Sequence, residues 1–252
     1  MLKKIQILFI KANYRWLTKY FLQLGVGTWT LIGTSQSSSQ AVNLEDLVSY
    51  HFQHHSSPDH VCRKTLHAAL EKLNMQPACI LETGSSAWGS NSSLLFDSYI
   101  KRYGGHFETV DLRIEPSIHL QKKCSGHTIL HCDDSVNFLK KWSKNNPSKK
   151  IDLLYLDSWD VDWLNPTPSA LHGLAEFIAS SSNLKEGSLL LIDDTPLNPD
   201  FFVSAQSELG AFKKYQSIHG FYPGKGSIVK QLLLSLGRGK ELLHHYQLLW
   251  QF

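Results

Sequence analysis

Three sets of segments carry the residue types that chemistry at a cleft needs. The first, ILETGSSAWGSNS at positions 80–92, puts an acid at the end of an apolar run and then a Gly/Ser turn opening a helix. Glycine lets backbone turn tightly and approach a ligand closely. The following helix start offers free N–H groups and a positive dipole end. The second is the pair of short acid-ended runs, VDL at 110–112 and HCDDS at 131–135. An acid ending a strand in a βαβ unit is placed to accept hydrogen bonds from ribose hydroxyls. Asp133 or Asp134 is also placed to cap the helix that follows. The third is a pair of long apolar runs, IDLLYLDSWD at 151–160 and SLLLIDDTP at 188–196. Asp157, Asp193 and Asp194 would meet at the strand tips, where three carboxylates repel one another unless a cation or protons relieve them. Oxygen-only ligands suit a hard divalent ion.

The elements that must position these residues follow from periodicity. Short, continuously apolar runs alternate with helical stretches, as parallel strands covered on both faces require. Strands are predicted at 78–82, 106–111, 128–131, 151–157 and 188–193. Helices are predicted at 43–55, 57–73, 90–103, 115–123, 135–144 and 167–182. The second helix is started at Ser57 because Pro58 suits a first turn. Residues 201–252 hold a helix or two and a late strand near 245–250. The β-α-β-α order gives the fold class: α/β, a Rossmann-like doubly wound, mostly parallel sheet with helices on both faces. It is one domain, residues 41–252, preceded by an N-terminal helical extension and Ser-rich linker, residues 1–40.

Charge and cysteine content exclude other classes. The formal net charge is +3, and Lys3, Lys4, Lys11, Arg15 and Lys19 account for an excess of five in the first 44 residues. The remainder holds 20 basic against 22 acidic residues, so no nucleic-acid partner is expected. Residues 1–33 combine a basic amphipathic segment with an apolar stretch too short to span a bilayer. They read as an extension packed on the domain, a peripheral membrane contact or a weak secretory signal. Cys62, Cys79, Cys124 and Cys132 form no C-x-x-C pair and read as small buried hydrophobes in a reducing, cytoplasmic compartment.

The turn at 80–92 lacks the G-x-G-x-x-G of dinucleotide binders. It resembles motif I of the class I S-adenosylmethionine-dependent methyltransferases. That resemblance implies that Glu82 holds the donor's ammonium through water or backbone, and that Gly84, Ser85, Ser86, Gly89 and Ser90 approach its methionine and ribose portions. It gives Asp111 the ribose hydroxyls and Asp134 with Ser135 the adenine edge, with Asp133 where the family often has glycine. Asp157 would also border the donor.

The acid pair resembles the metal-dependent O-methyltransferases of the macrocin and catechol type. There an L-D-x-W-like segment and a later D-D or D-N pair hold a divalent metal that activates the acceptor hydroxyl. Position by position, Asp157, Asp193 and Asp194 take the metal places, and Mg²⁺ is the expected ion. The chain departs from that pattern at Asp160, where the catechol enzymes carry a lysine base. Asp157 and, by residue type alone, His172 are the catalytic candidates. The resemblance covers residues 77–196 strongly and the rest weakly.

The expected activity is methylation of a small-molecule acceptor hydroxyl, with a homo-oligomer as a further expectation. A nicotinamide-dependent oxidoreductase and a non-catalytic binding domain are the rivals. FYPGKG at 221–226 reads as a loop on the acceptor side or as plain turn chemistry, and takes no catalytic role. Trp88, Trp159 and Trp163 read equally as acceptor-pocket walls or core. The His54–His55 and His244–His245 doublets lack partners at ligand spacing and read as exposed.

Overall fold

Alternate side chains of the central strands point into two separate cores, which is why their sequences are apolar without a break. Ile80, Leu153, Tyr155, Leu189 and Leu191 pack on one face, and Leu81, Leu154, Leu156, Leu190 and Ile192 on the other. A computed structural model describes residues 43–86, 89–202 and 206–252. The expectations for residues 1–42, including extension, linker and membrane contact, and for Trp88, lie outside the described residues. Among the described residues, no helix is long and apolar enough to cross a membrane.

The chain runs α1 (Leu44–His54), α2 (Arg63–Lys72), β1 (Ala78–Thr83), α3 (Ser92–Tyr103), β2 (Gly105–Asp111), α4 (Ile114–Gln121) and β3 (Thr128–Cys132). It continues with α5 (Ser135–Asn145), β4 (Leu153–Leu156), α6 (Thr167–Ser180), β5 (Leu189–Ile192), α7 (Gln206–His219) and α8 (Ser227–Leu236). The last two strands are β6 (Lys240–His244) and β7 (Leu248–Gln251). Short 3₁₀ turns at Ser181–Asn183 and Pro199–Phe202 extend the ends of connections.

The sheet order is β3-β2-β1-β4-β5-β7-β6. Strands β1 to β5 are parallel, while β7 runs antiparallel to β5 and to β6. The expected Rossmann-like architecture is therefore present, with an antiparallel hairpin closing one edge. Its order reverses between β1 and β4, and ligands of open α/β sheets bind beyond the strand ends at such a point.

Helices α1, α2 and α3 supply Val48, Phe52, Leu66, Leu95, Phe96 and Tyr99 to the first core. Helices α5, α6 and α8 supply Phe138, Leu139, Trp142, Phe177, Val229 and Leu233 to the second. Local capping fixes two of these helices. The Asn43 side chain accepts from the Asp46 N–H at 2.8 Å while Asp46 reaches back to the Asn43 N–H, a reciprocal cap on α1. Asp134 caps α5 by accepting from the Asn137 N–H at 2.9 Å.

One boundary is corrected. The helix expected from position 57 begins at Arg63, because residues 57–62 form two successive turns, with His60 N–H donating to the Ser57 carbonyl and Arg63 N–H to that of His60. These turns carry His60 and Cys62 to the strand ends instead of burying them in a helix. Two further corrections concern exposure. Cys62 and Cys79 are buried as expected, but Cys124 is half-buried and Cys132, at the tip of the edge strand, is exposed. His54 and His55 are exposed, but His244 and His245 are half-buried: His244 Nε2 donates to the Thr195 carbonyl at 2.7 Å and its Nδ1 meets the Lys230 ammonium at 2.9 Å.

Candidate active site

The tips of β1, β2, β4 and β5, with the loop after β3, surround one cleft of about 800 Å³. Its wall includes Gly84, Ser85, Ser86, Asp111, Asp134, Ser135, Asp157, Asp193 and Asp194. Most of the residues singled out in the sequence therefore share one space.

The glycine turn is shaped by contact with the neighbouring strand. Gly84 has φ +83°, and a Cβ there would lie 2.1 Å from the Asp157 carbonyl oxygen. The turn therefore lies directly against the loop after β4. Ser86 also has a positive φ of 56°, its N–H donates to Ser93 Oγ at 2.8 Å, and its own hydroxyl has no partner among the described residues. That orphaned hydroxyl and the close-packed turn fit a polar ligand laid along the backbone.

Gly89 and Ser90 do not line the cleft, which departs from their expected approach to a ligand, and Glu82, expected to act only through water or backbone, does not line it either. Glu82 is fully buried beneath the turn. Its carboxylate accepts from Ser92 Oγ at 2.5 Å, Thr109 Oγ1 at 2.6 Å and Ser93 Oγ. Burial pushes this carboxyl up to about 7, although the three hydroxyls favour its charged form. Glu82 thus ties β1, β2 and the start of α3 together and fixes the turn from below. Ser90 is buried, and its carbonyl accepts from His51 Nε2 at 2.7 Å. Burial lowers His51 to about 4, so its ring is neutral. Gly89 is exposed and lies against His60, while its carbonyl accepts from Ser56 Oγ at 2.5 Å.

Asp111 lines the cleft at 8 % exposure and accepts from the Arg113 N–H at 2.8 Å and Arg113 Nε at 3.2 Å. Asp134 performs its capping role and also lines the cleft, so the two readings of that residue are compatible. Asp133 points to Lys141 at 2.6 Å and is not on the wall.

His172 does reach the cleft. Its Nε2 lies 3.0 Å from both Ser135 Oγ and Ser158 Oγ, and Ser158 Oγ donates to the buried Glu176 carboxylate at 2.7 Å. Trp159 is half exposed on the same wall, with its ring 5.0 Å from that of His172. Trp163 instead packs towards Phe212.

Asp157, Asp193 and Asp194 come together, but around a residue to which the sequence assigned no chemistry. The Lys225 side chain is fully buried behind them, its Nζ 2.7 Å from Asp157 Oδ1 and 3.5 Å from Asp194 Oδ2. Other protein donors take further oxygens. Tyr155 OH donates to Asp157 Oδ2 at 3.2 Å, Tyr246 OH to Asp194 Oδ1 at 2.6 Å, and the Cys62 thiol to Asp193 Oδ1 at 3.6 Å. Burial and the Asp193 charge push Asp157 well above the carboxylate range, against the pull of Lys225. Burial likewise raises Asp194, again opposed by Lys225. Burial works against the Lys225 charge, but Asp157 and Asp194 outweigh it and keep the side chain an ammonium.

This set does not fit a divalent ion. Mg²⁺ and Ca²⁺ each require about six or more oxygen ligands at short range. Here Asp157 and Asp194 already accept protein hydrogens, and an ammonium behind them supplies the positive charge that an ion would bring. Among the described residues, no group of three or more His, Cys, Asp or Glu side chains has a metal-holding arrangement. The signal that finds Lys225 in the sequence is a lysine between two glycines, but nothing in the sequence brings that loop to the strand tips.

No family model and no curated protein matches the chain. Among solved structures, it is similar to CalS11, described as a calicheamicin methyltransferase, with a TM-score of 0.51 at 13 % identity over 91 % of this chain and 98 % of that one. It is also similar to an O-methyltransferase from Bacillus cereus described in complex with SAH, with a TM-score of 0.46 at 11 % identity over 83 % and 90 % of the two chains. At such identity, the likeness to CalS11 is one of fold.

Proposed function

We propose that the chain binds S-adenosylmethionine in this cleft and transfers its methyl group to a hydroxyl oxygen of a small molecule. One observation carries the reading: Gly84–Ser86, Asp111, Asp134 and Ser135 line a single cleft that continues to the acids of β4 and β5. The first set would hold a nucleoside and its amino-acid tail, and the second borders the acceptor side. The fold shared with CalS11 is compatible with this role.

When bound, the donor supplies an electrophilic methyl group on a sulfonium, so the protein's tasks are alignment and exclusion of water. Asp111 accepts from vicinal hydroxyls, with Arg113 holding its carboxylate in place. Asp134 and the adjacent Ser135 N–H border the base. His172 positions Ser135 and Ser158 through its two hydroxyl contacts. We assign acceptance of the acceptor's proton to Asp193. Asp157 and Asp194 are held by Lys225 and by phenols, whereas among the described residues the Asp193 carboxylate receives only a long thiol contact. Its lone pairs are the least engaged of the three.

Calorimetric titration with S-adenosylmethionine tests the reading. Wild type binds it and not NAD⁺, and Asp111→Ala loses roughly tenfold to a hundredfold in affinity, as expected for lost hydrogen bonds to a charged group. Folded wild type that shows no heat with the donor ends the proposal.

A further inference from the structure

We propose that Lys225 is a built-in cation: its ammonium supplies Asp157 and Asp194 with the positive charge that a divalent ion would bring, so the cleft operates without a metal. Three observations carry this. The side chain is fully buried and touches both carboxylates, at 2.7 Å and 3.5 Å, from the side away from the cleft. The remaining oxygen of each carboxylate is engaged by a phenol, Asp157 Oδ2 by Tyr155 and Asp194 Oδ1 by Tyr246.

The third observation is that the backbone is shaped to deliver this lysine. Gly224 has φ +155°, and a Cβ there would lie 2.6 Å from the Asp194 carbonyl oxygen. The Lys225 N–H donates to that same carbonyl at 2.9 Å, and the Gly226 N–H to Thr195 Oγ1 at 2.8 Å. The loop before α8 is therefore clamped to the residues after β5 at three successive positions, which holds the Lys225 backbone beside the acids. A lysine that merely balanced surface charge would need none of this.

The proposal goes beyond the methyl-transfer reading and is tested without the donor, so either can fail alone. Wild type is titrated calorimetrically with Mg²⁺ and Ca²⁺, and its melting midpoint is followed with millimolar metal and with EDTA. No saturable heat is expected, and the midpoint stays within about 1 °C. Lys225→Met leaves the acids without their counter-charge, so its midpoint falls by roughly 10 °C. Added Ca²⁺ then raises the variant's midpoint but not that of wild type, a response that loss of packing alone would not produce. Saturable Mg²⁺ or Ca²⁺ binding by wild type, abolished in Asp194→Asn, overturns the proposal. So does a Lys225→Met protein that melts with wild type and ignores metal. The wild-type titration decides even where the variant does not fold.

Discussion

Two neighbouring strand ends each bury a carboxylate, and they hold it by different means. At β1, Glu82 is surrounded by the hydroxyls of Ser92, Ser93 and Thr109. At β4, Asp157 is paired with the Lys225 ammonium and a tyrosine hydroxyl. Hydroxyls solvate a charge but do not cancel it, so Glu82 remains close to half-protonated at neutral pH. An ammonium cancels charge, but here one cation serves three acids. The proposed donor side of the cleft thus rests on neutral dipoles from nearby segments. The acid side rests on a charge brought from almost 70 residues further along the chain.

Gly84 is where the two regions touch, and changing it has the largest expected effect on both. In Gly84→Ala, the new Cβ would sit 2.1 Å from the Asp157 carbonyl, and the φ of +83° is strained for alanine. The β1 turn and the β4 loop must separate. We expect a loss of about 3 kcal/mol or more by chemical denaturation, together with loss of donor binding. Wild-type stability in this variant would show that the two sides are not in contact.

Asp193→Asn sharpens the functional half of the comparison. The asparagine keeps the shape but cannot take a proton, so turnover should fall by about a hundredfold or more while donor affinity changes little. Equal falls in turnover and donor affinity would remove the assignment.

Glu82→Gln tests whether hydroxyls alone support the first acid. The folded-state pKa is raised from 4.5 to about 7, so the native protein binds the extra proton between those values. Stability from this group is therefore present at low pH and lost as pH rises through about 7. Between pH 5 and pH 8 the loss is on the order of 2 kcal/mol. The glutamine variant should show a correspondingly flatter profile, its amide serving as a stand-in for the protonated acid. Parallel wild-type and variant profiles would show that Glu82 does not titrate there.

Tyr246→Phe gives the smallest change. It removes the 2.6 Å bond to Asp194 but leaves Lys225 in place. A cost of about 1 to 2 kcal/mol is expected. A larger loss would mean that the phenol, and not the ammonium, holds that carboxylate.

The difference between the two regions also explains which parts were legible beforehand. The strand cores and the acids at their tips were readable because a parallel strand buried on both faces must be apolar throughout, and polarity then resumes where it ends. Asp111, Asp134, Asp157, Asp193 and Asp194 all stand at such ends and all reach the cleft. The start of α2 was misplaced because Pro58 favours a first turn in either setting, and only the turns at 57–62 decide against it. The partners of Glu82 were hidden because serines and a threonine near a turn are common, and their convergence depends on the β1–β2 register.

The sequence by itself determined a doubly wound α/β sheet with acids at its strand tips, because period, chain order and strand polarity are local properties. It also determined the glycine turn after β1, since that turn lies within one short run of residues. Only the tertiary structure decided what those acids face. Strand β7 pairs antiparallel with β5, its hairpin turn carries Tyr246 to Asp194, and the loop before α8 places Lys225 behind Asp157. A buried charge selects its partner by proximity in space, and no spacing along the chain encodes that distance.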